Sequence, residues 1–257
     1  MEWCRSTCGK YKIESLTAAT FPGAINVIKV SFCQDEAVSI GAEVDKDPLA
    51  AEELLELCAD AALDGVSLVA VHEDTGEVAA VAFNKLQVPS SGSSERAFFE
   101  VFAEERCSRP SSKSLIEFMV NVDSRCNLFE KFDADCSLEV MFLATLKEHR
   151  CRGLGKLLCK SSSELAKKLK DGPVTKFTVQ DLGPMYSNMN PRQVSTTPPK
   201  ICQAIWTSFI SQKVGKATGY SVILRVPYEE FEYNGKTYAE RIGPDSPFCE
   251  LVAKVIE

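Results

Sequence analysis

The chain has 257 residues, 45% hydrophobic and 25% charged, enough to bury one sizeable core in one or two domains. Its 29 basic and 36 acidic residues leave a net charge of −7, which disfavours non-specific nucleic-acid binding and leaves any basic cluster to act locally. Eleven scattered cysteines with no Cys-x-x-Cys pair, and two histidines, His72 and His149, give no zinc framework. With no signal-peptide core and no run long enough to span a bilayer, a cytoplasmic protein with reduced thiols is expected.

In chain order, residues 11–16 alternate weakly, as a first strand would. Phe21-Pro22-Gly23 then opens a helix with Ile25, Ile28 and Phe32 on one face. It ends at Cys33-Gln34-Asp35-Glu36, where the plain reading of the acidic pair is a solvated turn. Asp47-Pro48 is a cap and first-turn pair for a helix to about Ala62. Residues 66–71 and 78–83 read as a hairpin around Glu73-Asp74-Thr75-Gly76, and 89–94 as a loop. Leu115, Phe118, Met119, Val122, Cys126 and Phe129 keep helical spacing, as core packing would.

The most informative stretch follows. An apolar run at 138–146 predicts a mostly buried strand, His149-Arg150-Cys151-Arg152-Gly153-Leu154-Gly155-Lys156 is a basic glycine loop, and Leu154, Leu157, Leu158, Leu165 and Leu169 mark an amphipathic helix. Strand, glycine turn and helix start together bring backbone N–H groups onto an anion. Gly153 and Gly155 are free to take positive φ and carry no Cβ to block a phosphate. Arg150, Arg152, Lys156 and Lys160 supply charge around it. No Gly-Lys-Ser/Thr follows, and the third glycine of a dinucleotide fingerprint is missing. Beyond Asp171-Gly172-Pro173, residues 180–200 are polar and proline-bearing, too long for an ordinary connection, and read as an irregular insertion or mobile flap near the acceptor pocket. Strands at 201–206, 221–226 and 248–255, a short helix with Ile210, Val214 and Ala217, and a turn at Tyr233-Asn234-Gly235-Lys236 complete the chain. The order predicts one α/β domain over 1–257 around a mixed sheet.

Arg150-Cys151-Arg152-Gly153-Leu154-Gly155 fits the Arg-x-x-Gly-x-Gly acyl-CoA signature, and the chain resembles the insect-type arylalkylamine N-acetyltransferases of the GCN5-related superfamily. Phe32-Cys33-Gln34-Asp35-Glu36, residues 64–71, Asn127-Leu128-Phe129 with Asp133, residues 207–213 with Gly219-Tyr220, and residues 226–231 carry the rest of the likeness. The resemblance implies a mostly antiparallel sheet flanked by helices and splayed at the central strand, with backbone groups of Leu143, Ala144 and Thr145 open to pantetheine. It implies acetyl-CoA as co-substrate, held by Arg150, Cys151, Arg152, Gly153, Leu154, Gly155 and Lys156. Glu36 falls in the place of the general base, and Thr207 and Ser211 in those of two hydroxyl residues. The activity implied is acetyl transfer to the primary amine of dopamine-, serotonin-, tryptamine- or octopamine-like acceptors by a monomer that needs no metal, nucleic acid or membrane. Polyamine acetylation and an inactive acyl-CoA-binding domain are the alternatives. Ala37 in place of the family's proline, Thr207 in place of serine and Ser246 near a usual histidine are departures that bear on acceptor preference.

Such a reaction has separable needs. A protonated amine, with a pKa near ~10 like that of lysine, must lose its proton before attack, and a partly buried Glu36 could take it. A backbone N–H near 143–145 would face the oxyanion, and Ser211 or Thr207 would protonate the leaving thiolate. Two hydroxyls there could equally cap a helix.

Overall fold

The computed structural model describes residues 1–89, 98–193 and 195–256. The loop expected at 89–94 therefore lies, from residue 90 on, outside the described residues, as does residue 194. Strands β1 (Glu2–Arg5) and β2 (Tyr11–Ser15) precede helix α1 (Phe21–Val27), which runs through a π-helical stretch, Ile28–Phe32, into α2 (Cys33–Asp35). After α3 (Ala37–Gly41) and α4 (Pro48–Ala62) come β3 (Leu68–His72) and β4 (Val78–Gln87), then α5 (Phe98–Glu105), α6 (Pro110–Ser124) and α7 (Leu128–Phe132). Strand β5 (Ser137–Thr145) leads through the glycine loop to α8 (Leu154–Lys168). The rest is β6 (Ile201–Trp206), α9 (Phe209–Ala217), β7 (Ser221–Pro227), a small hairpin of β8 (Glu232–Tyr233) and β9 (Lys236–Thr237), α10 (Tyr238–Ile242) and β10 (Phe248–Val255).

Among the described residues eight strands form one sheet in the order β1-β2-β3-β4-β5-β6-β10-β7. Every pairing is antiparallel except β5 with β6. Its two faces are buried separately. Helices α1, α4 and α6 cover one, with Ile28, Leu54, Phe83 and Ile116 fully enclosed; α8 covers the other through Leu158 and Leu165. Local chemistry sets the boundaries: Asp47 Oδ1 accepts from the amides of Leu49 and Ala50 at 3.1 and 3.3 Å, and Pro48 occupies the first turn of α4, where its missing N–H costs nothing. The turn between β8 and β9 is carried by Asn234 and Gly235, both at positive φ (+47° and +71°).

Two features shape the site. Strands β5 and β6 pair only over Ser137–Glu139 with Ile201–Gln203, so the sheet opens beyond that point, as expected for the fold. The register of β4 against β5 also slips, Phe83 facing Phe142 while Asn84 faces Val140, which leaves Met141 as a bulge. A bulge bends its strand and re-aims side chains, so Met141 and Phe142 both turn to the α6 face.

Some expectations need correction. The helical pattern at 115–129 breaks after Ser124, and Phe129 belongs to α7, because Asn127 starts a new helix by accepting from the Glu130 amide at 3.2 Å. Residues 180–200 contain short 3₁₀ turns and bury Leu182, Tyr186 and Met189 against Phe21 and its neighbours. Arg192 ties this segment to Asp60 of α4, and its described residues do not line the cavity described next.

Candidate active site

Glu36 stands between α2 and α3 with extended backbone (φ −74°, ψ 143°) and caps α3, its Oε2 accepting from the Ser39 amide at 2.7 Å. Its other oxygen, Oε1, is enclosed and among the described residues accepts no hydrogen bond. Burial pushes the Glu36 pKa up, and the Thr207 hydroxyl with the amides of Val38 and Ser39 offset part of the rise. A solvated turn would produce neither the burial nor the shift. Asp35 is the solvent-side member of the pair.

Glu36 lines a cavity of about 100 Å³ with Phe32, Phe118, Met119, Met141, Phe142, Thr207 and Ser211. That is well under the ~300 Å³ of an ordinary ligand pocket, so an acceptor enters only if side chains give way, and the unbranched Met119 and Met141 move most easily. Phe32 meets Phe142 edge-on at 4.8 Å, and Phe118 stacks on Tyr228 at 6.0 Å, which makes the walls aromatic. Tyr228 is fully buried and donates from its hydroxyl to the Thr207 carbonyl at 2.6 Å, fixing the backbone beside Glu36. Thr207 precedes α9, and Ser211 sits in its first turn in a reciprocal cap. Ser208 Oγ accepts from the Ser211 amide at 3.2 Å, and Ser211 Oγ accepts from the Ser208 amide at 3.0 Å. Ser246 Oγ accepts from the Phe209 amide at 3.2 Å, so this helix start is held from two sides.

In the glycine loop, Cys151 and Gly153 have positive φ (+60° and +77°), and α8 starts with no side-chain cap. Gly155 differs from expectation, because it lies inside α8 with ordinary helical φ. A Cβ built there meets only Leu143 and Val214, at 3.7 and 3.9 Å, so nothing in the protein requires glycine at 155. Space for a close ligand is the remaining reason for it. The loop cations divide unevenly. Arg152, Lys156 and Lys160 are exposed, whereas Arg150 turns back from the loop, donating to Asp35 and Ser31 at 2.7 Å each and to the Thr145 carbonyl at 3.2 Å. Arg150 thus ties the loop to the segment carrying Glu36 and cannot offer its full charge to an anion. The Thr145 carbonyl is also taken, by Ser31 as well as Arg150.

Glu77, Glu148 and His149 bring one ligand atom each within 4.8 Å of one another. Both ring nitrogens of His149 are already engaged, with Tyr11 Oη at 2.8 Å and Glu77 at 3.1 Å. All eleven cysteines are free thiols, and burial pushes Cys33, the one nearest Glu36 in sequence, up to about 12, which removes it as a nucleophile. A larger cavity, about 780 Å³, lies at the other end of the sheet beside Val66, Leu86 and Phe177. Its one lining acid, Asp64, is paired with Arg192 at 2.9 Å, which leaves Lys176 as the other ionisable group on that wall.

Glu36, Thr207 and Ser211, expected from the family resemblance, line one cavity, and Cys151 to Lys156 form one loop and helix start. Sequence reasoning missed Tyr228 as a support for Thr207, and the Asp35–Arg150 pair, whose members are 115 residues apart and carry no local signal.

The mixed sheet with its flanking helices is the fold of solved N-acetyltransferases. Among solved structures the chain is similar to arylalkylamine N-acetyltransferase 2 from Aedes aegypti, with a TM-score of 0.71 and 21% identity over 96% of this chain and 99% of that one. It is also similar to the Drosophila melanogaster polyamine N-acetyltransferase that forms N-acetylagmatine (TM-score 0.69, 14% identity, 95% and 99%). The C-terminal condensation domain of Ebony, solved with β-alanyl-dopamine, shares the architecture at a TM-score of 0.57 and 12% identity over 96% and 99%. No protein-family model matches the chain, and no curated protein matches it in sequence.

Proposed function

We propose that the protein is an acetyl-CoA-dependent N-acetyltransferase of small primary amines, arylalkylamines foremost. The observation that carries this is the enclosed, unpartnered Oε1 of Glu36 in an aromatic cavity at the opening of the sheet. A buried acceptor with no donor costs on the order of 1–3 kcal/mol, and active sites are where such a cost is tolerated.

The free amides of the 151–156 loop and the space over Gly155 suit a pyrophosphate, with Arg152 and Lys156 adding charge; the open edge of β5 suits the pantetheine arm. Acetyl-CoA would supply the thioester. Glu36 takes a proton from the acceptor ammonium, the freed nitrogen bonds to the thioester carbon, and the C–S bond breaks. The nitrogen's second proton passes through the Thr207 or Ser211 hydroxyl to the thiolate, so that the hydroxyl ends as it began, and Glu36 returns its proton to water. A raised pKa on Glu36 brings its basicity closer to the task without moving it to the amine's own value. The aromatic walls of Phe32, Phe118 and Phe142 favour an aryl ring on the acceptor.

The test is a steady-state panel of acetyl-CoA with tryptamine, serotonin, dopamine and spermidine. CoA release with amide formation supports the proposal; tight CoA binding without turnover on any amine would make the protein a binding domain.

A further inference from the structure

The cavity of about 780 Å³ at the far end of the sheet has no part in acetyl transfer, yet it has the dimensions of a ligand site, within the ~300–1,000 Å³ usual for one. Its floor is apolar: Leu63 and Val66, between α4 and β3, Leu86 near the end of β4, and Phe177 are all buried. Its rim, with Lys176, Gln180, Thr196 and Thr197, is exposed, so the space opens to solvent. The wall at 173–178 is braced at three points. A Cβ on Gly65, which has φ +70°, would meet the Thr175 carbonyl at 2.4 Å, so the two backbones touch. Phe177 packs on Phe21 with ring centres 5.7 Å apart, and Asp181 Oδ2 accepts from the Thr178 amide and hydroxyl at 2.7 Å each. These contacts fix the segment, and the hollow is preformed.

The charges around it do not cancel. Asp60 and Asp64 are matched by Lys85 and Arg192. Lys176 is left over: it lines the cavity, and among the described residues no acid pairs with it. The backbone on the same wall adds donors. The Gly172 amide is used by the Leu169 carbonyl at 3.2 Å and the Thr178 amide by Asp181, but among the described residues the amides of Val174, Thr175, Lys176 and Phe177 donate to no acceptor. Free amides beside an unpaired ammonium accommodate one anionic group. With an apolar floor below them, they match a molecule that has a hydrocarbon body and a single carboxylate at its end.

We propose that this cavity is a second ligand site, for an alkyl carboxylate whose chain lies on Leu63, Val66, Leu86 and Phe177 and whose carboxylate meets Lys176 and the 174–177 amides. It shares no lining residue with the Glu36 cavity, so it does not rest on the acetyltransferase reading. The head group separates this site from a merely greasy hollow. An alkylammonium of the same length buries as much hydrocarbon but brings its charge against Lys176, and it finds no acceptor in the amides.

The experiment is calorimetric titration of the full chain with octanoate, decanoate and decylamine, each below its micelle concentration, in wild type, Lys176→Ala and Val174→Trp. Wild type should bind one carboxylate per chain, about fourfold more tightly for each methylene added from octanoate to decanoate, and decanoate about tenfold or more over decylamine. Lys176→Ala should weaken decanoate about fivefold and narrow its lead over decylamine. Val174→Trp places a large ring on the cavity wall and should abolish binding. Lys176 is exposed, so its variant carries the test if Val174→Trp does not fold, which thermal scans of the unliganded proteins would show. No saturable carboxylate binding by wild type, equal affinities for decanoate and decylamine, decanoate affinity unchanged in Lys176→Ala, or binding that survives in a folded Val174→Trp protein would each overturn the site.

Discussion

Asp64 and Glu36 both carry enclosed carboxylate oxygens, and they are treated in opposite ways. Asp64 accepts from the Leu86 amide at 2.9 Å, pairs with Arg192 at 2.9 Å and has Lys85 at 3.5 Å, while Arg192 also reaches Asp60. Every charge there has an opposite. Glu36 has the Ser39 amide on Oε2, with the Val38 amide and the Thr207 hydroxyl beside the carboxylate, and among the described residues no ion pair and no hydrogen bond on Oε1. The first cluster is a fastening between α4, β4 and Arg192 of the irregular 180–200 segment, and the second leaves an oxygen open, as the proposed base needs. Burial alone therefore says little about function; the difference lies in whether the buried charge is compensated.

Substitutions should separate the two in opposite directions. The largest effect is expected at Glu36, where Glu36→Gln keeps the shape but not the basicity and should lower kcat by ~10² to 10⁴ with acetyl-CoA affinity near wild type. Its stability should move the other way. The folded carboxyl holds its proton more tightly than an unfolded one, so its stabilising contribution is full below the ordinary glutamate pKa and is lost as pH rises through the raised value. At neutral pH the ionised group is a burden, and Glu36→Gln should melt no lower than wild type in a thermal scan.

Breaking the compensated cluster should do the reverse. Arg192→Met leaves Asp64 and Asp60 with Lys85 alone and should cost ~2 to 4 kcal/mol in denaturant unfolding, while turnover per folded molecule is little changed. An Arg192→Met protein that is stable but slow would erase the distinction drawn here. Next in size, Gly155→Val should weaken CoA binding about tenfold, or ~1.4 kcal/mol, without unfolding the protein, since the added atoms meet only Leu143 and Val214 at first contact. The smallest effect on stability is expected for Asp35→Asn. Its pair with Arg150 is about 40% exposed on both sides (42% and 38%), and the loss should stay under ~1 kcal/mol by chemical denaturation.

The sheet and its order of elements were legible in the sequence because period-two and helical patterns, caps and turn residues agree locally. Asp47-Pro48 capped α4 as read, and Asn234-Gly235 turned the β8–β9 hairpin. Short elements set by tertiary packing were not legible: β1 is four residues of mixed polarity, and α3 exists because Glu36 caps it. At the site, residue types near one another in sequence were found, as in the 150–156 loop. What was missed depends on distance along the chain. The direction of the Arg150 side chain is set by Asp35 and Ser31, the hold on Thr207 by Tyr228, and the aiming of Met141 by a bulge that depends on its register with β4. The conformation of Gly155 was misjudged because a glycine that makes room and a glycine that takes positive φ look alike in sequence.

The central claim is that the unpaired Glu36 carboxylate is the base, and its most direct test is the pH dependence of kcat/KM for tryptamine, from pH 6 to 9, in wild type and Glu36→Gln. Wild-type activity should rise with pH through an ionisation displaced upward from that of an ordinary glutamate, and Glu36→Gln should lack that limb and recover only toward high pH, where more of the amine is already neutral. Wild-type rates with an unchanged profile in Glu36→Gln would contradict the account.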